Sequence, residues 1–511
     1  MWFIVLGVAL VCGQVNPDWV VTLDTVGGTT YDWWFDGPMH RDIVNSPDVG
    51  IHVTWMYSAE TTGTSFPDRN MRYNFYDYVT NQWNWIDPDF MQSGVNVYAD
   101  RAGFGNLDAD LTTGIAIISR HGGTPTHVRA ARDIAPGAGI YEYAEGPDGQ
   151  GPAIASGQSN ALHAAFMSPA GLAYDRIPTW PDWDTVLPLT GGLDYNIAAS
   201  KVSPKVFICW TDNVSPVSRA YWRLSEDGGT TWGPVTELVA PPAYGGDTVT
   251  SFHITSLFPF YDQMDRLRIA ASVIPVLHDT GYIMPAEIWH WCADNNPQWN
   301  EIHRAGCAPE HLLAPVGYNA TYACRPSMGE DRSGNLFVAW EQFDSSNVEP
   351  LTGWLRAGVW ACCSADGGTT WSPAIRLTPQ DYASHRFPCV ADWITDNDVL
   401  VLYLADPIAG FFVQGEHPGV NCMVICAHVS YHDAINDSRA PDVNAEFRIW
   451  PNPTSQTLHI AGGQRLVLLD VAGRERMKLH DGTNDIGMLS PGIYVVRDEQ
   501  TRLSRKLVLR P

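Results

Sequence analysis

A chain of 511 residues with 45% hydrophobic content, 21 Trp, 20 Tyr, 45 Gly and 36 Pro can bury more than one ordinary core, and it favours many short strands joined by tight turns over long helices. Its formal net charge of −25 repels polyanions and anionic bilayers, which sets aside nucleic acid and peripheral membrane partners. The charge is uneven: residues 446–511 hold ten Lys/Arg against seven Asp/Glu, so a boundary is expected just before them.

The first element, Met1-Trp-Phe-Ile-Val-Leu-Gly-Val-Ala-Leu-Val-Cys-Gly13, is an apolar run too short to span a bilayer as a helix. It reads as a signal peptide over residues 1–13 with cleavage before Gln14, although the usual basic start is missing. Passage through the periplasm to a secreted or outer cell-surface location follows, and no other stretch is long and apolar enough to be a transmembrane segment. Pro17-Asp-Trp-Val-Val-Thr-Leu-Asp24 then reads as a lone outer strand, able to pair beside Asn421–Ser430 and cover an otherwise open edge.

Seven apolar strands recur: Ile51–Trp55, Ile115–Ser119, Leu162–Phe166, Val206–Trp210, Leu267–Ala271, Leu336–Trp340 and Val399–Tyr403. Successive copies end 44 to 69 residues apart, which suits one four-stranded blade of a propeller per copy. Seven blades are expected over residues 14–433, with the uneven period leaving six open. Two copies carry a sharper turn, Ser225-Glu-Asp-Gly-Gly-Thr-Thr-Trp232 and Ser364-Ala-Asp-Gly-Gly-Thr-Thr-Trp371. Asp227 and Asp366 can accept backbone N–H groups across the turn, Gly229 and Gly368 can take positive φ, and the Trp packs into the apolar layer. A degenerate version spans Asp294 to Trp299, with Asn296 at the left-handed position.

Nine Cys lie between Cys209 and Cys426, mostly within apolar strand patterns, where they read as buried small hydrophobes. Cys307 with Cys324 is the one mild candidate for a disulfide, and no spacing fits a metal site; no cofactor is expected. Residues 434–445 read as a linker. From 446 to 511, alternating strands are separated by Pro-Asn-Pro, Ala-Gly-Arg and Ser-Pro-Gly turns, which predicts a small β-sandwich of about seven strands. The fold class is therefore all-β, a propeller followed by a sandwich.

The S-x-D-G-G-T-T-W turns resemble the Asp-boxes, or BNR repeats, of sialidases and related propellers, in which they are structural and lie away from the active face. The tail resembles the type A sorting domain of the type IX secretion system through Trp450-Pro-Asn-Pro-Thr454, Leu466-Val-Leu-Leu-Asp-Val-Ala-Gly473, Leu489-Ser-Pro-Gly-Ile-Tyr-Val-Val496 and Arg505-Lys-Leu-Val-Leu509. This second resemblance implies the type IX secretion machinery as a partner, with the tail removed or attached at the cell surface.

Propellers bind ligands at one end of the central channel. Arg41, Arg101, Arg325 and Arg386 stand 14 to 18 residues before the end of an apolar strand, and His253 takes the equivalent place in the fifth copy. Brought together, the guanidinium groups would clamp a carboxylate through paired, charge-assisted hydrogen bonds, similar to the tri-arginine clamp of sialidases. Each could equally pair with a neighbouring Asp and serve structure alone. That family's chemistry also needs a Tyr nucleophile and an acid/base Asp; Tyr322 or Tyr382 and Asp42 are the candidates, while Tyr174-Asp-Arg176-Ile-Pro178 reads as a chance match to an arginine motif. The first reading is a propeller that binds a glycan or another anionic small ligand. An exo-acting hydrolase of acidic sugars and a non-catalytic adhesion scaffold are the alternatives.

Overall fold

The computed structural model describes residues 19–431 and 448–509, apart from 185, 190–191, 213–218, 244–248, 250, 278–279, 307–314, 396–397, 451–455, 462–464, 471–473 and 499–503. The expected signal peptide, the linker and Cys307 lie outside the described residues. The chain divides into two compact units, residues 1–432 and 433–511.

Among the described residues of the first unit seven sheets follow one another, antiparallel except where Trp393–Ile394 pairs parallel to Ala323–Asp331. The innermost strands of blades 1 to 7 are Ile43–Ser46, Leu107–Ala109, Gln150–Ser156, Tyr195–Ala199, Ser251–Tyr261, Ala323–Asp331 and Ser384–Val390. Each touches the next. Blade 7 meets blade 1 where the Asp42 N–H donates to Cys389 Sγ at 3.3 Å and Asn45 Nδ2 donates to the Trp393 carbonyl at 2.9 Å, so the sheets form a ring. The seven recurring apolar segments are the second strands of the seven blades, among them Gly50–Tyr57, Val206–Asp212 and Leu336–Val348. Both faces of such a strand meet neighbouring sheets, which is why the sequence is continuously apolar there and does not alternate; Gly50–Tyr57 is buried along its whole length. Several blades end in two-residue outer strands, such as Gln82–Trp83 and Ile375–Arg376, leaving little edge to pair with another chain.

The ring is closed by the N-terminal strand Trp19–Thr29, which lies antiparallel to Cys422–Tyr431 from Trp19 opposite Tyr431 to Thr29 opposite Cys422. At its inner end the strand crosses Trp55 of blade 1, whose indole N–H donates to the Gly28 carbonyl at 3.3 Å. Only glycine fits at position 27, since a Cβ there would stand 2.3 Å from the Trp55 ring.

Both Asp-box turns have the expected chemistry. Asp227 accepts the Thr231 N–H at 2.8 Å and its hydroxyl at 2.6 Å, and Asp366 takes the same bonds from Thr370 at 2.9 and 2.7 Å. Ser225 and Ser364 each accept the N–H of the second glycine, Gly229 or Gly368, at 2.8 Å, with φ of 79° and 81°. Trp232 packs edge-on against Tyr174 of blade 3, and Trp371 against His290 of blade 5, so each turn is seated on the preceding blade. Arg176 and Arg268 complete these seams by donating to the carbonyls of Gly228 and Gly367. Arg176 thus has a structural task at a turn and no place at the channel mouth. The degenerate copy departs from expectation: Asn296 precedes Pro297 through a cis peptide and has no positive φ, Asp294 is exposed, and Trp299 donates to the Val239 carbonyl at 2.9 Å.

In the second unit, seven described strands form sheets of three and four strands. Leu458 and Ile460 of one sheet share a buried cluster with Leu466, Leu468, Val496 and Leu507 of the other. Among the described residues no helix is long and apolar enough to cross a membrane.

Candidate functional site

Inner strands enter the channel at one end and leave at the other, so their first and last residues line two different clefts. The larger, about 690 Å³, is lined by Gln150, Gly151, Tyr195, Cys324 and Arg325 from the starts of inner strands, together with Trp33, Phe35, Asp36 and His40 from the segment that follows the closure strand. The smaller, about 420 Å³, gathers Ser46, Ala199, Tyr261 and Glu330 from the far ends.

Aromatic faces and a few convergent polar groups characterise the larger cleft. Trp33 stacks on Phe411 with ring centroids 5.8 Å apart and meets the half-exposed Tyr318 edge-on at 5.2 Å. Phe104 stacks on His121 at 5.3 Å. Two carboxyl groups face this space. Asp36 is exposed and held by the Asn319 amide. Asp194 takes a 3.4 Å hydrogen bond from the Thr211 hydroxyl; burial and the negative charge of Asp36 raise its pKa to about 6, against the opposing pull of Thr211 and Arg325. Both histidines are neutral. Burial lowers His40 to about 4, and its Nε2 donates to the Tyr195 carbonyl at 3.2 Å. Burial, followed by the charges of Arg69, Arg101 and Arg120, lowers His121 to about 3. The Gly151 N–H donates to His121 Nδ1 at 2.9 Å, so the His121 proton sits on Nε2, a neutral donor.

One wall rests on a buried charge cluster. Glu341 accepts from Arg325 and, at 3.0 and 3.2 Å, from Arg386, and it takes the Phe387 N–H at 3.0 Å and the Cys324 thiol at 3.2 Å. Burial alone would raise the Glu341 pKa, but Arg386 and Arg325 together hold it at about 2. Arg325 also donates to the Asn319 carbonyl at 2.8 Å, linking the cluster to Asp36. Arg325 and Phe387 both hold left-handed backbone, φ 54° and 56°, at matching bulges in the inner strands of blades 6 and 7. Such strain persists only where the surroundings over-determine it.

The residues singled out in the sequence are therefore distributed as follows. Arg325 and Arg386 come together, but on Glu341, and only Arg325 lines the cleft. Arg41 lines the smaller cleft and pairs with Asp392 at 3.4 Å. Arg101 is exposed, donating to the Phe66 and Ser65 carbonyls at 2.9 and 3.2 Å. The four guanidinium groups do not converge on one point, because Arg325 and Arg386 lie within their inner strands whereas Arg41 and Arg101 stand ahead of theirs. His253 is buried beside the cleft residues Thr255 and Ser256 without lining the cleft itself. Asp42 is buried and lines neither cleft, with burial pushing its pKa well up. Tyr322 is buried and accepts the Ser345 N–H at 3.2 Å, whereas Tyr382 is 85% exposed, so no shared site holds the two with Asp42. Asp36, His121, Asp194 and Glu341 are not among the residues that the sequence singles out. Asp194-Tyr195 stands at the mouth of an inner strand, and the run Tyr31-Asp-Trp-Trp-Phe-Asp36, rich in aromatic and acidic residues outside any repeat, was the available signal. The eight described cysteines are buried free thiols, Cys324 included.

No protein-family model matches the sequence, and no curated protein matches it. Among solved structures, an ulvan lyase of a new polysaccharide lyase family is 12% identical over 74% of this chain and 92% of its own, with a TM-score of 0.48. The endosialidase of phage phi92 is 9% identical over 96% of this chain and 87% of its own, TM-score 0.41. An α-L-arabinanase of Penicillium chrysogenum, complexed with arabinobiose, is 11% identical over 79% and 97%, TM-score 0.38. These values relate the chains in outline and assign no residue a role.

Proposed function

We propose that the chain binds a glycan in the larger cleft and cleaves a glycosidic bond there, with Asp194 as the proton donor and Asp36 as its carboxylate partner. The observation that carries this reading is the contrast between two carboxyl groups that line one aromatic cleft: Asp194, partly buried with its pKa raised to about 6, and Asp36, exposed and hydrogen-bonded by an amide. A carboxyl group whose surroundings raise its pKa can hold a proton for a leaving group while a second, solvated carboxyl group stands in the same cleft. Trp33, Phe35 and Phe104 offer apolar faces on which sugar rings stack, and the His121 Nε2–H, Asn319 and Thr255 offer polar contacts to hydroxyl groups.

An acidic sugar fits the His121 flank. Behind His121 and Phe104 stand Arg69 and Arg101, and among the described residues neither pairs with a carboxylate. Their field lowers the cost of bringing an anionic substituent to that side. The deciding experiment measures release of reducing ends from neutral and uronic-acid-containing polysaccharides. Asp194→Asn should abolish turnover while leaving binding measurable, and Trp33→Ala should weaken binding. Retention of binding with no turnover in the wild type on any substrate would reduce the site to a binding cleft, and turnover unaffected by Asp194→Asn would overturn the assignment.

We also propose that the protein is exported and that its C-terminal unit serves as a type IX sorting module. Deleting residues 446–511 in a host that carries this secretion system should trap the chain in the periplasm, and its unchanged appearance outside the cell would refute the idea.

A further inference from the structure

Asp32, Asp406 and His417 come from opposite ends of the propeller sequence, and their ligand atoms all lie within 4.8 Å of one another. Asp32 follows the closure strand, Asp406 ends the second strand of blade 7, and His417 lies in the loop that leads into Cys422–Tyr431. The side chains of Asp32 and His417 are 0% exposed, and that of Asp406 is 3% exposed.

Each of the three side chains is already held by the backbone. The Phe412 and Val413 N–H groups donate to Asp32 at 2.5 and 3.2 Å, and the Ile408 N–H donates to Asp406 at 2.9 Å. His417 Nδ1 lies 2.8 Å from the Pro418 carbonyl, which fixes the proton on that nitrogen. This leaves Nε2, buried and without a well-formed hydrogen bond, aimed at two carboxylates: 3.3 Å from Asp32 and 3.9 Å from Asp406. An imidazole oriented by a backbone carbonyl through its far nitrogen is the arrangement metal-ligating histidines adopt. In a tetrahedral site with metal–ligand bonds of about 2.0–2.2 Å, neighbouring ligand atoms stand roughly 3.3–3.6 Å apart. The imidazole–carboxylate spacings of 3.3 and 3.9 Å lie in or near this range, and no two ligand atoms stand farther apart than 4.8 Å. Shut away from water, two carboxylates and one imidazole hold protons among them when no ion is present, and a divalent cation would displace those protons on binding.

We propose that Asp32, Asp406 and His417 bind a divalent transition metal, zinc in the first place, with one position open to a further ligand. A nitrogen among the donors disfavours calcium and magnesium, which take oxygen. The metal would tie the N-terminal segment to blade 7. That segment also carries Trp33, Phe35, Asp36 and His40, so the ion would brace one wall of the cleft, and this assignment stands whether or not the cleft is catalytic.

The test uses the full-length protein stripped with a chelator and then titrated with Zn²⁺, Mn²⁺, Co²⁺ or Ca²⁺. We expect about one equivalent of zinc by elemental analysis, a thermal midpoint raised by several degrees on adding zinc but not calcium, and a tetrahedral absorption spectrum with cobalt. Asp406→Asn and His417→Gln should each weaken zinc binding by about tenfold or more. Should either variant fail to fold, the wild-type stoichiometry and cobalt spectrum decide alone. Wild-type protein that takes up no zinc or cobalt, or variants that bind as the wild type does, would overturn the proposal.

Discussion

Removing one member of the Arg325–Glu341–Arg386 cluster differs from removing all three. Glu341→Gln would leave two buried guanidinium groups without a counter-charge, a change that typically costs about 3–5 kcal/mol. The cost depends on pH. The folded-state pKa of about 2 lies below the unfolded value of about 4.3, so the carboxylate's contribution is present above the unfolded value and is lost as pH falls toward 2. Denaturant unfolding at pH 7 and pH 3 should show the gap between wild type and Glu341→Gln shrinking at the lower pH. Asp194 has the opposite sign. Its raised pKa of about 6 makes ionisation costly in the folded state, so the penalty grows as pH rises through that value. Asp194→Asn should therefore be more stable than wild type at pH 8, by at most about 3 kcal/mol, and should lose that advantage at pH 4. If Asp194 donates the proton, the alkaline fall in the wild-type rate should also begin near pH 6. Neither group was legible beforehand. Glu341 directly follows the apolar run Leu336–Trp340 and looks like the polar end of a strand until the fold sets two arginines from other strands beside it.

Turns were the most legible elements, because their chemistry is local. Ser, Asp and Gly at fixed spacing specify which N–H meets which oxygen, and the bonds formed by Asp227 and Asp366 match. The sequence did not reveal the far side of each turn, where Arg176 and Arg268 reach across from the preceding blade. The glycines separate these contributions. Gly228 has φ 69° and its Cβ position is nearly open, with one atom of Arg176 at 4.0 Å, whereas a Cβ on Gly229 would meet the Tyr174 hydroxyl at 1.8 Å. Gly228→Ala should cost about 1–2 kcal/mol from backbone strain alone. Gly229→Ala should cost about 1–3 kcal/mol more, because it also pushes blades 3 and 4 apart. Thermal unfolding of the two variants checks the order, and equal losses would mean that Tyr174 yields freely.

At the scale of the molecule, the repeat and its closing strand were readable from hydrophobic pattern, and the site was not. The cleft is assembled from residues outside the repeats and from strand starts whose approach loops vary, so no fixed offset along the chain points into it. The ring should depend on its first strand. Deleting residues 1–29 would strip Cys422–Tyr431 of its partner and expose an unpaired edge, and the product should aggregate or elute as oligomers on size exclusion. A monomer with an unchanged thermal midpoint would contradict this.

Trp19 and Tyr431 face each other across an antiparallel pair, so the two ends of the ring already stand where a hairpin would place them. A two-residue turn inserted between them, with the C-terminal unit removed, would make the propeller a continuous loop of chain, and new termini could then be cut into the connection between any two blades. Circularly permuted versions of this ring are accordingly within reach, and the present starting point is one of several the architecture would accept.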